Sequence, residues 1–457
     1  MKVFLRLTAL LCVSAWVGAA LLAPSPASAQ DDAGVPDIPF EKYKLDNGME
    51  IILHQDRSVP LVAVSVWYHV GSGDEVVGRS GFAHLFEHMM FQGSKNVGED
   101  RHFDVLRQIG ASSINGTTNK DRTNYFEVVP SNQLETALWL ESDRMGYMLD
   151  LLTMESLSNQ RDVVRNERRQ RYDNVAYGKD RFAVSAALYP EGHPYRYLTI
   201  GLHEDIENAS LDDITAFFKK WYVPSNATLT ISGDIDIEAT KAQVQKWFGG
   251  FPTIEKPTQA KTPAPTIKET TREVIKDDFA RLERVHYAWH SPAMLAEGTA
   301  ELSIFSQVLG ANGWGRLYKR LVVDKPMAKR VSVYQSGSNS SGVFHIMVDI
   351  NPGVKLADVE AIINEELQRA LDEPLKPEEI ARAVTGLESA FIWGLESVLR
   401  RAERLQFFNH YTGNPGFTAD YLELYRTRTP GQIMAQARTW LLGPRIEIIT
   451  EPGGGKQ

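Results

Sequence analysis

Hydrophobic and polar positions alternate with a two-residue period near the start of the chain, and a helical period follows. Residues 43–53 place Asn47-Gly48 between two alternating segments, which predicts a β-hairpin. A β-branched run over 61–70 predicts a strand. The patterns that follow predict helices and paired strands in mixed order. The helices are predicted over 82–91, 103–109, 132–151, 154–172 and 237–248, and the strands over 112–118, 123–129 and 227–232.

The second half of the chain repeats this plan of strands and helices. Strands are predicted over 272–276, 285–289, 331–334, 342–349 and 446–449, and helices over 299–309, 316–321, 357–371, 377–391 and 433–441. Between the halves, residues 251–268 carry four prolines among threonines and lysines, a composition typical of a semi-rigid linker. Because hairpins occur without strict βαβ alternation, the fold class predicted is α+β. We expect two similar α+β domains, over 30–250 and 269–457, joined by that linker.

Length and composition agree with a two-domain globular protein. The chain has 457 residues, whereas single cores stop growing at about 250–300 residues. Apolar residues make up 43% and charged residues 23%, as in ordinary globular domains. The formal net charge of −9 argues against a nucleic-acid partner, because such proteins usually present a basic face.

The first 29 residues have the features of a signal peptide. Lys2 and Arg6 precede an apolar run over 7–22, and Ala27-Ser28-Ala29 forms a small-x-small cleavage signal. A membrane anchor is the alternative, but the run is short for the ~20 residues that a span requires. Cleavage would remove Cys12, the only cysteine, so a metal site would have to use His, Asp or Glu. No later run is apolar enough for a span, and we expect a soluble, exported, periplasmic protein.

The segment around His84-Leu-Phe-Glu87-His88 carries the candidate chemistry. On a helix His84 and His88 are one turn apart on the same face, a spacing at which two imidazoles can bind one Zn²⁺. Glu87 lies beside that face, where its carboxylate can take a proton from water at the metal. This order is the inverzincin signature. The alternative is a pair of surface histidines without a metal, and a zinc site also needs a third ligand from another element.

Three segments together resemble a known family. The run His84–Phe91, the run Asn115–Tyr125 and the run Val163–Arg168 resemble the pitrilysin/insulinase family of inverzincin zinc peptidases. The similarity is strongest to its short-chain branch, which includes the mitochondrial processing peptidase and bacterial relatives. The resemblance implies one Zn²⁺ per chain, with Glu167 in a Val-x-x-Glu context as the third ligand. Glu155 and Asp162 are rival ligands, and a solvated, charged helix face over 161–171 is the alternative without a metal.

The resemblance also implies substrate-binding residues. Relatives use the strand around Asn115-Gly116 as an edge that pairs with the peptide backbone, although the same dipeptide could form a turn. In single-chain or homodimeric relatives, the second half supplies an Arg and a Tyr that hold substrate carbonyls. Arg316 matches the arginine, but Lys329 stands at the tyrosine position, and Tyr334 comes five residues too late. We therefore expect a heterodimer with a zinc-free homologous subunit that carries an intact Arg/Tyr pair. A homodimer in which Lys329 acts as the cation is the alternative.

The sequence therefore predicts a zinc metalloendopeptidase acting on unfolded peptides, with Glu87 as base and His84, His88 and Glu167 as ligands. A non-catalytic scaffold subunit of a peptidase-like complex is the main alternative. A zinc hydrolase that cleaves a non-peptide amide is another. His286 and His290 in the second half lack a carboxylate between them, and we expect them to be core or edge histidines.

Overall fold

The computed structural model describes residues 36–259 and 262–454 of the chain. The predicted signal peptide over 1–29 lies outside the described residues. None of the helices in the described ranges combines the length and the apolar character that a bilayer crossing requires.

The first half contains a six-stranded sheet and eight helices among the described residues. Its strands are β1 (Glu41–Lys44), β2 (Glu50–Gln55), β3 (Leu61–Tyr68), β4 (Ser112–Thr118), β5 (Thr123–Pro130) and β6 (Ala227–Gly233). Its helices are α1 (Phe82–Met89), α2 (His102–Gln108), α3 (Leu134–Tyr147), α4 (Met154–Arg168), α5 (Gly178–Leu188), α6 (His203–Glu207), α7 (Leu211–Trp221) and α8 (Ile237–Phe248). The predicted hairpin at Asn47-Gly48 is confirmed, since β1 and β2 pair antiparallel around it.

The second half contains a five-stranded sheet and seven helices within the same ranges. Its strands are β7 (Thr271–Asp277), β8 (Arg284–Ser291), β9 (Ala328–Gly337), β10 (Gly342–Ile350) and β11 (Ile446–Pro452). Its helices are α9 (Thr299–Gly310), α10 (Arg316–Tyr318), α11 (Leu356–Asp372), α12 (Pro377–Trp393), α13 (Val398–Thr412), α14 (Thr418–Arg426) and α15 (Pro430–Leu441). Among the predicted elements, the helix over 154–172 is α4 followed by a π-helical turn over Arg169–Asp173.

Apart from the additional edge strand β1, the two sheets have the same strand order, which confirms a duplicated α+β fold. The first sheet runs β1-β2-β6-β3-β5-β4 and the second runs β7-β11-β8-β10-β9. In the first sheet, β6 pairs parallel to β2 and antiparallel to β3. In the second sheet, β11 pairs in the same way, parallel to β7 and antiparallel to β8. Each half has its own apolar core. The division of the chain at residues 251–268 stays a prediction.

Each half also packs one of its helices against the sheet of the other half. Val398 and Ala402 of α13, from the second half, pack against Ala63 and Val128 of the first sheet. In return, α5 of the first half packs against β8 and β11 of the second sheet. Buried apolar surface therefore joins the halves at two places, and it stabilises their relative position.

Candidate metal centre

Helix α1, which carries the predicted motif, begins directly after Gly81. Gly81 has a φ of +84°, and a Cβ there would lie 2.9 Å from Cα of Gly201, so glycine is required at this start. Glu75 caps the helix: its Oε2 accepts from the backbone N of Gly81 at 2.9 Å, and its Oε1 accepts from the N of Ala83 at 2.8 Å. Burial raises the pKa of the Glu75 carboxyl to about 8.

One face of α1 packs into the core and the other lines a cavity. Its core side chains are Phe82, Leu85, Phe86 and Met89. His84 and His88 share the opposite face, with ring centroids 4.8 Å apart and planes at 81°. The Glu87 side chain is 9% exposed and lies in the same cavity. The helical pattern thus separates packing residues from candidate catalytic residues.

Glu167 reaches this face from α4, the helix that packs against α1. Its Oε2 lies 3.5 Å from Nε2 of His84 and 3.2 Å from Nε2 of His88. Four ligands at the usual Zn–N and Zn–O distances of about 2.0–2.2 Å stand about 3.3 Å apart along the edges of a tetrahedron. Ligand atoms of the three residues all lie within 4.8 Å of one another, and no other such group occurs among the described residues. The donor set and these separations fit Zn²⁺.

The electrostatics of the three residues suit a metal cation. Burial lowers the pKa of His84 to about 4, so its ring is neutral near pH 7 and has a lone pair to donate. Burial opposes ionisation of Glu167, but its hydrogen bond with His88 and the nearby cationic groups lower its pKa overall. Arg171 in the π-helical turn holds the other oxygen, with Nη1 2.8 Å from Oε1. Glu167 is therefore ionised, with Oε2 directed at the histidines.

Glu87 is held by the strand β4 on its other side. The Thr118 hydroxyl donates to its Oε2 at 2.6 Å. Burial raises the pKa of Glu87, while this hydrogen bond acts in the opposite direction. A Cβ at Gly116 would lie 3.0 Å from Cγ of Glu87 and 3.2 Å from its Oε1. Glycine at 116 therefore makes room for the carboxylate.

The cavity that contains these residues has a volume of about 300 Å³. It is lined by His84, Glu87, His88, Asn115, Gly116, Thr117, Thr118, Glu167, Arg171, Tyr172, Thr199 and Ile200. β4 borders it and is the edge strand of the first sheet, paired with β5 only. Asn115 and Gly116 lie within β4, so the alternative that they form a turn is wrong. The turn is at Asn119–Arg122, where the Asn119 N donates to the Arg122 O at 3.0 Å.

The rival ligands and the neighbouring valines are placed differently from Glu167. Glu155 lies exposed in the first turn of α4, and Asp162 is 70% exposed beside Arg165. Neither belongs to the cluster of ligand atoms. Val164 is buried, as expected, but Val163 is 44% exposed, so the inward face of α4 near Glu167 includes only one of the two valines.

Arg316 and Lys329 of the second half do not line this cavity, whose walls come from residues 84–200. Arg316 makes a bidentate ion pair with Glu379, with Nε 2.8 Å from Oε1 and Nη2 2.6 Å from Oε2. Lys329 is exposed on β9 and lines a separate cavity of about 700 Å³. Tyr334 stacks on His345, with ring centroids 4.6 Å apart. A substrate role for Arg316 therefore stays a prediction. It would have to be exercised at a site other than this cavity, or toward the site of a second chain.

Among its described residues, the second half has no counterpart of the histidine pair. α9 follows Gly298, whose φ of +95° repeats the conformation of Gly81 before α1. The positions that correspond to His84, Glu87 and His88 are occupied by Glu301, Ile304 and Phe305. Nδ1 of His286 donates to Oδ2 of Asp180 at 2.8 Å, and its Nε2 lies 2.9 Å from Nδ1 of His345, within a buried cluster. His290 is buried on β8, as expected for a core or edge histidine.

Thr118 and Arg171 were not identified from the sequence, although simple spacing rules could have found them. Thr118 follows Gly116 by two residues, so its side chain lies on the face of β4 toward which a Cβ at position 116 would point. Arg171 follows Glu167 by four residues, the spacing of neighbours on a helix surface. Each residue contacts a candidate catalytic or ligating carboxylate.

Comparisons with known proteins agree with this geometry. The family model described as "Insulinase (Peptidase family M16)" matches residues 50–182, and that described as "Peptidase M16 inactive domain" matches residues 208–387. The chain is 29% identical over 365 residues to the zinc protease PqqE of Helicobacter pylori, covering 78% of this chain and 80% of that protein.

Solved structures share the fold. A protease from Helicobacter pylori superposes with a TM-score of 0.84 at 25% identity, covering 91% of this chain and 100% of that one. The periplasmic protease PqqL from Escherichia coli superposes with a TM-score of 0.76 at 18% identity, covering 91% of this chain and 48% of that one. At this lower identity the likeness concerns the fold alone.

Proposed function

Because the chain belongs to the insulinase (M16) family of peptidases, we propose that it is a zinc-dependent endopeptidase that cleaves unfolded peptides. The observation that carries the proposal is the convergence of His84, His88 and Glu167, with Oε2 of Glu167 at 3.2 and 3.5 Å from the two imidazole nitrogens. The main alternative, a non-catalytic scaffold, has no such support, because the three donors and the candidate base are all present in one cavity.

In the proposed mechanism, His84, His88 and Glu167 hold the metal and Glu87 moves protons. A bound Zn²⁺ supplies Lewis-acid polarisation of the peptide carbonyl and lowers the pKa of water. Glu87 takes a proton from the attacking water and gives it to the leaving amine. Thr118 keeps the Glu87 carboxylate oriented through its hydrogen bond. Arg171 keeps Oε2 of Glu167 directed at the histidines by holding Oε1.

The peptide would bind along the free edge of β4. This edge strand passes Glu87 at Gly116 and lines the cavity from Asn115 to Thr118. Backbone pairing with an edge strand recognises the main chain and is insensitive to side-chain identity, and it requires the peptide to be extended. The substrate class is therefore an unfolded peptide segment and not a folded protein.

A second chain would complete the site. All residues that line the cavity come from 84–200, and Arg316 is engaged by Glu379. The proposed partner is a zinc-free homologue that supplies an Arg/Tyr pair to the peptide carbonyls. A homodimer in which Lys329 of a second copy reaches the peptide is the alternative. Light scattering separates monomer from dimer, and co-expression with a zinc-free homologue followed by an activity assay tests the heterodimer.

The location follows from the first 29 residues, which carry signal-peptide features. We infer that the protein is exported to the periplasm, because this segment combines a basic start, an apolar run and a cleavage signal. Mass spectrometry of the N-terminus of the secreted chain tests cleavage after Ala29.

Metal removal tests the proposed activity. Hydrolysis of a fluorescence-quenched unstructured peptide is expected to stop after dialysis against a zinc chelator and to return on addition of one equivalent of Zn²⁺. Hydrolysis that survives complete removal of zinc, verified by elemental analysis, would overturn the proposed function. The measurement is made with and without the partner subunit, so that a missing partner is not mistaken for a missing metal.

A further inference from the structure

A second cavity, of about 610 Å³, adjoins the candidate metal centre. Thr118 and Thr199 line both cavities, and Thr118 is the residue that donates to Glu87. Further walls of the second cavity come from β3, from the turn after β4, from Met294, from residues 337–338 and from α12 and α13. It therefore lies between the two halves of the chain, beside the proposed reaction site.

Four cationic side chains line this second cavity: Lys120, Arg122, Arg400 and Arg404. In the described part of the chain none of them forms an ion pair with a carboxylate. The Lys120 ammonium lies 4.5 Å from the Tyr195 ring centroid, and the Arg404 guanidinium lies 4.5 Å from that of Phe391. Burial lowers the pKa of Lys120 to about 8 and also lowers that of Arg404. The aromatic faces stabilise these cations without neutralising them.

Arg122 has donor capacity that the protein does not use. Its Nη1 donates to the Thr117 carbonyl at 2.7 Å and to the Thr117 hydroxyl at 2.6 Å. Its Nε is buried and has no hydrogen-bond partner among the described residues. A buried donor without an acceptor is costly, because it has lost its hydration. An acceptor entering the cavity would restore that bond.

The two acidic residues of the cavity are already engaged by neutral donors. Asp121 accepts from the hydroxyls of Tyr195 at 3.1 Å and Tyr411 at 2.6 Å, and from the Asn339 N at 3.1 Å. Glu403 accepts from Ser65 at 2.6 Å, Trp67 at 3.3 Å and Asn124 at 2.9 Å. Burial raises the pKa of Glu403, while the hydrogen bond from Ser65 and the nearby Arg122 act in the opposite direction. The cavity thus has an excess of unpaired positive charge in a protein whose formal net charge is −9.

We propose that this cavity binds a carboxylate of the peptide substrate, either its C-terminal carboxylate or the side chain of an Asp or Glu. Arginine presents paired N–H donors that match the two oxygens of a carboxylate, and such charge-assisted bonds are stronger than neutral ones. A peptide that runs along β4 past Gly116 reaches Thr118, where the cavity begins. The inference rests on the proposed function, because it assigns a specificity subsite to the same peptidase site.

The test compares matched peptides that differ by one charge. A neutral fluorescence-quenched peptide is made with a single Asp or a single Asn at successive positions on each side of the cleaved bond, and with a free or an amidated C-terminus. We expect one position, on one side only, or the free C-terminus, to raise kcat/KM about ten- to hundredfold over its neutral match. An Asp position identifies a side chain as the ligand, and the free C-terminus identifies the terminal carboxylate.

Variants assign the preference to the cavity. Arg404→Gln is expected to reduce the ratio of kcat/KM for the charged peptide to kcat/KM for its neutral match toward one. Arg400→Gln is expected to have the same effect, and because the Arg400 side chain is exposed, this substitution should leave the fold intact. Arg281→Gln, an exposed arginine outside the cavity, is the matched control and is expected to keep the wild-type ratio. Because the ratio is taken within one variant, a general loss of folded protein cancels. A ratio near one for every wild-type pair, or a preference that both cavity variants retain, would overturn the proposal.

Binding to the inactive variant keeps the two proposals separate. The same peptide pairs are titrated against zinc-loaded Glu87→Gln, and the ratio of Kd values replaces the ratio of kcat/KM values. If no peptide is hydrolysed by the wild type but a charged peptide binds more tightly in a manner that needs Arg404, the subsite holds and the proposed activity fails. If neutral and charged peptides are hydrolysed equally, the activity holds and the subsite is wrong.

Discussion

Oε2 of Glu167 lies 3.2 Å from Nε2 of His88, although the two residues belong to helices that are separated in sequence by α2, β4, β5 and α3. The same oxygen lies 3.5 Å from Nε2 of His84. The packing of α4 against α1 therefore brings a third donor to the distance from the histidines that tetrahedral zinc requires. A local sequence motif cannot supply this donor, because it lies on another helix.

Arg171 is expected to orient Glu167 for the metal. Arg171→Gln removes the donor to Oε1 and leaves the carboxylate free to rotate. Loss of an outer-shell partner typically costs 10–100-fold in metal affinity, and because Arg171 is 71% exposed we expect about tenfold. Competition with a zinc-binding dye measures the change. Arg169→Gln, on the same turn but paired with Asn166, is the control, and equal affinity in both variants would contradict the role of Arg171.

Gly116 is expected to be required for the position of Glu87. In Gly116→Ala the new Cβ would meet Cγ of Glu87 at 3.0 Å, so the carboxylate must move. The displacement is of a few tenths of an ångström, and since about 1 Å can cost about 10²-fold in rate, we expect a loss of roughly tenfold, while the zinc ligands are not touched. Hydrolysis should therefore fall with zinc content unchanged. Gly386→Ala, where a Cβ meets nothing within 4 Å, should leave both unchanged.

The hydrogen bond from Thr118 should appear in the pH profile. It stabilises the ionised form of Glu87, so its removal in Thr118→Val raises the pKa of the carboxyl further. The base must be ionised to accept a proton, and the acid limb of kcat/KM should therefore move to higher pH. Thr118→Ser keeps the hydroxyl and should restore the wild-type limb. An unshifted limb in Thr118→Val would show that the bond does not control the base.

Glu75 should make stability depend on pH. Its pKa is raised to about 8, so between about pH 4.5 and 8 the native state holds a proton that the unfolded state has released. The free energy of unfolding therefore falls as pH rises through this window. Glu75→Gln does not titrate, and its unfolding free energy should fall less steeply with pH. Urea unfolding at several pH values measures both slopes, and parallel slopes would refute a raised pKa at Glu75.

Much of the fold and two of the three metal ligands were predictable from local pattern. The alternation around Asn47-Gly48 and the i, i+4 spacing of His84 and His88 are properties of single elements. Sequence spacing alone could not select Glu167 over Glu155 or Asp162, because the choice depends on which face of α4 meets α1. Resemblance to a family selected Glu167, and the exposure of Val163 shows that local apolar pattern was a weaker guide.

Five helices, α5, α6, α7, α13 and α14, were absent from the predicted elements. The sequence carries capping signals at the ends of two of these helices. Ser210 and Asp213 form a capping box at the start of α7. Ser397 caps the start of α13, which ends at Gly413 with a φ of +75°. The packing of α13 on the first sheet is a long-range relationship. It brings Arg404 into the same cavity as Lys120, which no sequence period could indicate.

The most direct test of the central claim measures zinc content and peptide hydrolysis together in three chains. The wild type is expected to contain one zinc and to hydrolyse an unstructured peptide in the presence of its partner. Glu87→Gln is expected to keep the zinc and lose hydrolysis, because it retains every ligand but has no base. Glu167→Gln is expected to lose zinc and hydrolysis together. A wild type without zinc, or a Glu87→Gln chain with undiminished hydrolysis, would contradict the assignment of a zinc peptidase with Glu87 as its base.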